Sequence, residues 1–377
     1  VAGRRTYDER DVRVRPGRGS RPRTKQRPEH ADADRALVVA VDRGRYGVLV
    51  DPDGPDERRA TAMKARELGR ERVVPGDLVD VVGDTSGAEG SLSRIVRITQ
   101  RRTVLRRTAD DADPVERVIV ANADRLVVVT AMADPEPRTR MIDRCVVAAY
   151  DAGMDVLLAL TKGDLADPEP LVALYRPVGV EVVVTRREVD ADGTRRIVGL
   201  DALRAALAGR TSVLVGHSGV GKSTLVNALV PDALRAVGAV NDVTGRGRHT
   251  STSAVALRVP DAGAPTWVID TPGVRSFGLA HVEPGHLLGA FADLAAVAEA
   301  CPRGCTHAAD APDCALDEWV AAATGDEREA RAARVGSFRR LLASRLGTTD
   351  ADADPTPAAP TTADDGPDAR GPAGADG

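Results

Sequence analysis

Aromatic residues make up only 2% of this 377-residue chain, so its cores have to be assembled from Val, Leu, Ile and Ala. The same scarcity leaves little for stacking on nucleobases, and any nucleic-acid contact must lean on charge and backbone. Four cysteines in a chain of this size argue against a disulfide scaffold. No apolar run approaches membrane-spanning length, and the start Val1-Ala-Gly-Arg-Arg5 lacks the apolar core of a signal peptide. A soluble, cytoplasmic protein with no membrane partner is expected.

The length is too great for one compact core and implies two or three domains. A formal net charge of −4 conceals segregation. Arg4, Arg5, Arg10, Arg13, Arg15, Arg18, Arg21, Arg23, Lys25 and Arg27 crowd a basic arm, residues 1–34, whereas residues 347–377 form an acidic tail of Ala, Asp, Thr, Pro and Gly. Both read as disordered, and the arm reads equally well as a partner for nucleic-acid phosphates. From 35 to 104, Leu37–Val41, Tyr46–Val50, Asp77–Val82 and Ser93–Ile98 alternate with turn residues such as Asp51-Pro-Asp-Gly54. They predict a small all-β barrel, OB-like or SH3-like. Tyr46 is its one tyrosine.

From Arg117 the rhythm becomes strand and helix in alternation: Arg125–Thr130 and Val156–Leu160 as strands, Thr139–Tyr150 as a helix bearing Cys145 in its apolar face. This predicts a mostly parallel sheet with helices on its faces. Val213-Leu-Val215 then runs into Gly216-His217-Ser218-Gly219-Val220-Gly221-Lys222-Ser223-Thr224, which fits the GxxxxGK(S/T) phosphate-binding loop. The glycines let backbone N–H groups turn inward around phosphate oxygens, Lys222 supplies a point charge, and the Ser223 hydroxyl suits magnesium. Trp267-Val-Ile-Asp270 delivers Asp270-Thr-Pro-Gly273, a match to DxxG. There Asp270 holds magnesium through water and the Gly273 N–H senses a γ-phosphate. Thr161-Lys162-Gly-Asp164 resembles the guanine-reading N/TKxD peptide: a carboxylate accepts from both N1–H and the 2-amino group of guanine, which adenine cannot offer, while the Lys162 stem lies along the purine. Read singly, each peptide is also an ordinary strand-ending turn.

In ordinary GTPases the guanine peptide comes last; here it precedes the phosphate loop and DxxG follows. With the barrel ahead, a cysteine cluster behind, Val120–Val129, and Gly245-Arg-Gly-Arg-His-Thr-Ser-Thr252, this order resembles the ribosome small-subunit-dependent GTPase family (RsgA, or YjeQ) over roughly residues 36–346. The resemblance implies an OB-like barrel, a circularly permuted α/β P-loop GTPase domain at 105–280, and a small α-helical zinc-binding domain at 281–346. It implies GTP and GDP as ligands, Mg2+ held by Ser223, Thr250 and Asp270, and action in late maturation of the small ribosomal subunit. Binding to that subunit's rRNA and faster hydrolysis when bound are part of the same expectation, as is a monomer. Val274 follows DxxG where many GTPases carry a water-orienting glutamine. The resemblance and the chemistry put His249 in that role, with Arg246 and Arg248 as charge donors. The rivals are a nucleotide-gated RNA-binding module with incidental hydrolysis, and a P-loop ATPase or kinase.

Cys301, Cys305, His307 and Cys314 offer three thiolates and one imidazole, a donor set for one tetrahedral zinc ion. The family pattern differs by one more residue between the first two cysteines and one fewer before the last. Helices are expected at Leu287–Glu299 and Asp317–Leu346. The second carries Arg328, Arg331, Arg334, Arg339, Arg340 and Arg345, read either as a solvated face or as an RNA-contacting one. Because the chain runs from Gly273 almost directly into this module, nucleotide state is expected to be transmitted to it.

Overall fold

The computed structural model describes residues 30–107, 117–231, 233, 254–271, 274, 277, 279, 282 and 284–346. The bulk of the basic arm, the acidic tail, the 245–252 loop and Gly273 lie outside the described residues.

Five strands close the barrel: β1 Asp34–Asp42, β2 Arg45–Val50, β3 Arg58–Lys64, β4 Leu78–Gly83 and β5 Ser93–Ile98. Their order is β1-β2-β3-β5-β4, and β4 returns to pair with β1, so no edge is left within the ring. The pairing of β3 with β5 is parallel and the others are antiparallel. Ala36 and Val38, Tyr46, Val48 and Val50, and Val79 and Val81 recur at every second position and fill the interior. Tyr46 is therefore a core residue, 7% exposed, and offers no ring for base stacking. A ribbon of β6 Val104–Arg107 and β7 Arg117–Ala121 follows.

The second sheet runs β10-β9-β8-β13-β15-β14, where β8 is Arg125–Ala131, β9 Asp155–Thr161, β10 Glu181–Val184, β13 Thr211–Val215, β14 Val255–Arg258 and β15 Trp267–Asp270. The first five are parallel and only β14 is antiparallel. Successive residues of these apolar runs face opposite sides. Leu126 and Val128 join one core with α1 (Thr139–Asp151) and α2 (Glu169–Tyr175). Val127 and Val129 join the other with α3 (Leu200–Leu207) and α4 (Lys222–Leu229). Burial on both faces is what a parallel sheet demands, and it explains continuous apolar runs in place of alternation. A β11 Arg186–Val189 and β12 Arg195–Val198 hairpin projects between β10 and α3. Barrel and sheet are continuous through the Ala40 to Val255 pairing of β1 with β14.

The C-terminal module has four helices, α5 Pro284–Gly289, α6 Ala292–Ala298, α7 Ala315–Ala321 and α8 Gly325–Leu346. Each of the two long helices expected here is broken. Phe291 leaves helical geometry (φ −115°, ψ 80°) as its ring is buried, and Gly325 at φ +57° separates α7 from α8. Phe291, Phe338 and Leu341 belong to the same core as Ile142 and Cys145 of α1, so the module is packed onto the sheet's α1 face. Cys145, 0% exposed, is a core residue, with burial pushing its thiol up to about 12.

Candidate functional site

The carboxyl ends of β9, β13 and β15 point to one cavity of about 800 Å³, the size of a small-molecule site. β13 is central, and its chain leaves the sheet at Gly216. A Cβ there would lie 2.5 Å from the Val129 carbonyl oxygen, so only glycine lets the loop pass this close to β8. Gly219 and Gly221 take φ of +83° and +90°, turning the backbone over before α4 starts at Lys222. The start of that helix brings N–H groups and the positive end of its dipole to the cavity.

The other two peptides meet this loop. Lys222 Nζ donates to Asp270 Oδ1 at the end of β15, and Thr271 Oγ1 donates to the Leu214 carbonyl at 2.7 Å. Thr161 Oγ1, at the end of β9, donates to the Val220 carbonyl at 2.5 Å, which ties the TKGD peptide to the loop itself. Lys162, at φ +53°, donates from Nζ to the Asp134 carbonyl of the segment after β8. Gly163 N–H donates to the Thr185 carbonyl at 3.1 Å. Asp164, Lys222 and Asp270 therefore line one cavity although 106 residues separate the first from the last along the chain.

Among the residues singled out from sequence, Thr161, Lys162, Asp164, Gly216, His217, Ser218, Gly219, Gly221, Lys222, Ser223, Thr224 and Asp270 all line the cavity. Val220 does not: its side chain is 2% exposed in the core, and it contributes its carbonyl. His217 Nε2 lies 3.5 Å from Arg138 Nη1. His249, Arg246, Arg248, Thr250 and Gly273 fall outside the described residues. Val274 is described and buried at 7%, an apolar side chain with no group to orient water. Sequence reasoning missed Thr185, Arg186, Arg187 and Ile197, which also line the cavity. The signal available was β10 itself, because each parallel strand delivers its following residues to the ligand edge.

A second cluster lies between α6 and α7. Cys301 Sγ is 3.6 Å from His307 Nδ1 and 4.0 Å from Cys314 Sγ, and Cys314 Sγ is 3.8 Å from His307 Nδ1. With Cys305 the four donor atoms all lie within 4.8 Å of one another and could hold a metal ion. A tetrahedron with metal–sulfur bonds of about 2.3 Å has edges of about 3.8 Å, so the donor atoms stand at ligating separation. Burial lowers the His307 imidazole and favours its neutral, ligating form, with the Arg339 charge adding to the effect. The Ala315 N–H donates to Cys301 Sγ at 3.3 Å, and Arg339 Nε donates to the His307 carbonyl at 3.0 Å.

Four of the six α8 arginines are engaged within the protein. Arg340 pairs with buried Asp143 of α1 at 3.2 Å and lies over the Tyr175 ring. Arg334 pairs with Asp293 at 2.6 Å and stacks on Phe291. Arg339 pairs with Asp317 at 2.7 Å, and Arg331 covers Trp319. These four bind the module together and onto the sheet; Arg328 is exposed, and the Arg345 side chain lies outside the described residues.

A central phosphate loop, met by the TKGD peptide from upstream and by Asp270 from downstream, makes this a circularly permuted P-loop GTPase with a closed barrel and a cysteine–histidine cluster. A family model described as RsgA GTPase matches residues 98–280. Relatives each named "Small ribosomal subunit biogenesis GTPase RsgA" include one from Alcanivorax borkumensis, 36% identical over 78% of this chain and 81% of its own length. One from Pseudomonas aeruginosa is 38% identical over 79% and 83%, and one from Azotobacter vinelandii is 40% identical over 60% and 63%. The chain belongs to the RsgA GTPase family. Two solved structures share its fold: YjeQ from Thermotoga maritima (23% identity, 83% of this chain and 99% of that one, TM-score 0.56) and YloQ, described as a circularly permuted GTPase (20%, 85% and 98%, TM-score 0.57).

Proposed function

We propose that the cavity binds GTP and GDP, that the chain hydrolyses GTP, and that it does so in biogenesis of the small ribosomal subunit, as the relatives' names state for them. The observation that carries this reading is the meeting of Asp164, Lys222 and Asp270 on one cavity. Asp164 reads the guanine edge, the 216–224 loop wraps the phosphates, and Lys222 exchanges its Asp270 partner for phosphate oxygens. Ser223 and Asp270, which line the cavity, and Thr250, read from sequence alone, would supply the hydroxyl and carboxylate oxygens that hold Mg2+, which when bound neutralises phosphate charge. Cys301, Cys305, His307 and Cys314 hold one structural zinc.

The barrel of 35–104 and the basic arm engage rRNA through charge and backbone, since Tyr46 is buried. A cytoplasmic monomer in the domain arrangement read from sequence suits these roles. His249 orients the attacking water in place of a glutamine. The test is turnover titrated with purified small subunits, with excess ATP as competitor. Stimulation by subunits and indifference to ATP are expected; inhibition by ATP identifies an ATPase or kinase instead, and turnover unmoved by subunits leaves hydrolysis incidental. His249→Ala should lower turnover by roughly 100-fold or more at unchanged GTP affinity.

A further inference from the structure

The β11–β12 hairpin reaches over the cavity and presents two different faces. Arg186 and Glu188 alternate with Arg187 and Val189 along β11. On one face Arg186 pairs with Glu188 at 2.8 Å, and Arg196 pairs with Glu188 at 2.7 Å and Asp190 at 2.9 Å, so these charges are neutralised within the hairpin. Arg187 stands on the other face, directly opposite Ile197; both line the cavity, as does Arg186, whose guanidinium is held by Glu188. Among the described residues Arg187 has no carboxylate partner; its Nη2 donates to Thr224 Oγ1, the third residue of α4, at 2.7 Å.

The hairpin is anchored where it needs to be. Ile197 packs against the core beneath α3 and α4. Gly199, which ends the hairpin, has φ +84°, and a Cβ there would lie 2.3 Å from the Val184 carbonyl oxygen. That close approach fixes the base of the hairpin against β10. At the other wall Gly163 N–H holds the Thr185 carbonyl. Arg187 is thus an exposed cation, without a carboxylate partner among the described residues, hydrogen-bonded to the first turn of a phosphate-binding helix.

We propose that Arg187 is a nucleotide-binding residue that donates to the α-phosphate of the bound guanine nucleotide. This rests on the reading of the cavity given above. Lys222, Ser223 and Asp270 occupy the end where the β- and γ-phosphates lie, and Asp164 marks the base end. Thr224 follows Lys222 and Ser223 on α4 and lines the same cavity as the hairpin, which assigns Arg187 to the phosphate that joins the base end to the β- and γ-phosphates. A guanidinium there makes charge-assisted hydrogen bonds that GDP and GTP use alike and guanosine cannot.

Calorimetric titration of the full-length protein with GDP, a non-hydrolysable GTP analogue, ADP and guanosine tests this. Arg187→Ala should weaken GDP and the GTP analogue by the same factor, roughly ten- to a hundredfold, and leave guanosine unchanged. Arg187→Lys should recover part of the loss, because a point charge remains without the fork. Arg195→Ala, which removes an exposed charge from the same hairpin, should bind as the parent does. Unchanged GDP affinity in Arg187→Ala, a loss confined to the GTP analogue, or an equal loss for guanosine overturns the assignment. If the parent protein fails to prefer GDP over ADP, it is the guanine-site reading that fails, whatever Arg187 does.

Discussion

Arg340 and Asp143 show what a charge in a sequence does not disclose. Asp143 interrupts an apolar helix face and is 4% exposed. Burial raises its carboxyl above the usual carboxylate range, and the Arg340 charge pulls it back. Removing one partner of such a pair leaves the other buried and uncompensated, so Arg340→Met should cost about 3–5 kcal/mol of unfolding free energy. A carboxyl whose folded pKa lies above its unfolded value holds more protons in the folded state within that window. Stability therefore falls as pH rises through it. Arg340→Met lifts the folded value further and widens the window, so denaturant unfolding should show the variant recovering stability on acidification more than the parent does. A cost that is the same at every pH sinks this account. Two readings of the α8 arginines were open from sequence because charge is visible there and partners are not. The signal that was present is Asp143 itself, an acid among Met141, Ile142 and Cys145 that needed a cation from elsewhere.

At the scale of elements, legibility followed the size of the buried side chains. The Val- and Leu-rich runs of β1, β8, β9 and β13 announced themselves, whereas β3, Arg58-Arg-Ala-Thr-Ala-Met-Lys64, did not. Its buried positions are Ala60, Thr61 and Ala62, too small to register as a strand, and it exists because β2 and β5 pair with it on either side. The β11–β12 hairpin escaped because five of its eight strand residues are charged, and it brought unforeseen residues to the cavity. The cysteine cluster was legible because the donor types and their tight spacing are the chemistry. Between α6 and α7, residues 299–314 contain no helix or strand, so a metal ion on the four donors would add to the packing and hydrogen bonds that hold this segment. Chelation of the purified protein should release one zinc per chain and lower the thermal midpoint by on the order of 5 °C. Cys314→Ser should behave as the chelated protein does. A midpoint indifferent to both would show that packing alone maintains the segment.

The modules of the molecule are joined at the places where a nucleotide would be sensed. The 245–252 loop is followed three residues later by β14, whose Val255 pairs with Ala40 of the barrel. Arg258 of the same strand reaches Asp53 and Glu57 of the barrel and lies over Trp267 of β15. On the other side, the chain beyond Asp270 sends Val274, Phe277, Leu279 and Val282 into the core that also holds Phe291, Leu294, Phe338 and Leu341. The Phe277 ring is fully buried, and its carbonyl accepts from Arg144 Nε of α1 at 2.8 Å. A close-packed interior does not absorb displacement gradually, so movement of Val274 and Phe277 must be taken up by the helices that share their core. Permutation makes this possible, because among the described residues no further strand of the sheet intervenes between Asp270 and α5. Hydrogen exchange across residues 284–346 should therefore differ between the GDP-bound protein and one carrying a non-hydrolysable GTP analogue, most strongly in α5 and α6. Phe277→Leu, which loosens the contact while keeping the site apolar, should shrink that difference at similar nucleotide affinity. Identical exchange in the two nucleotide states would mean that the shared core is only a structural joint.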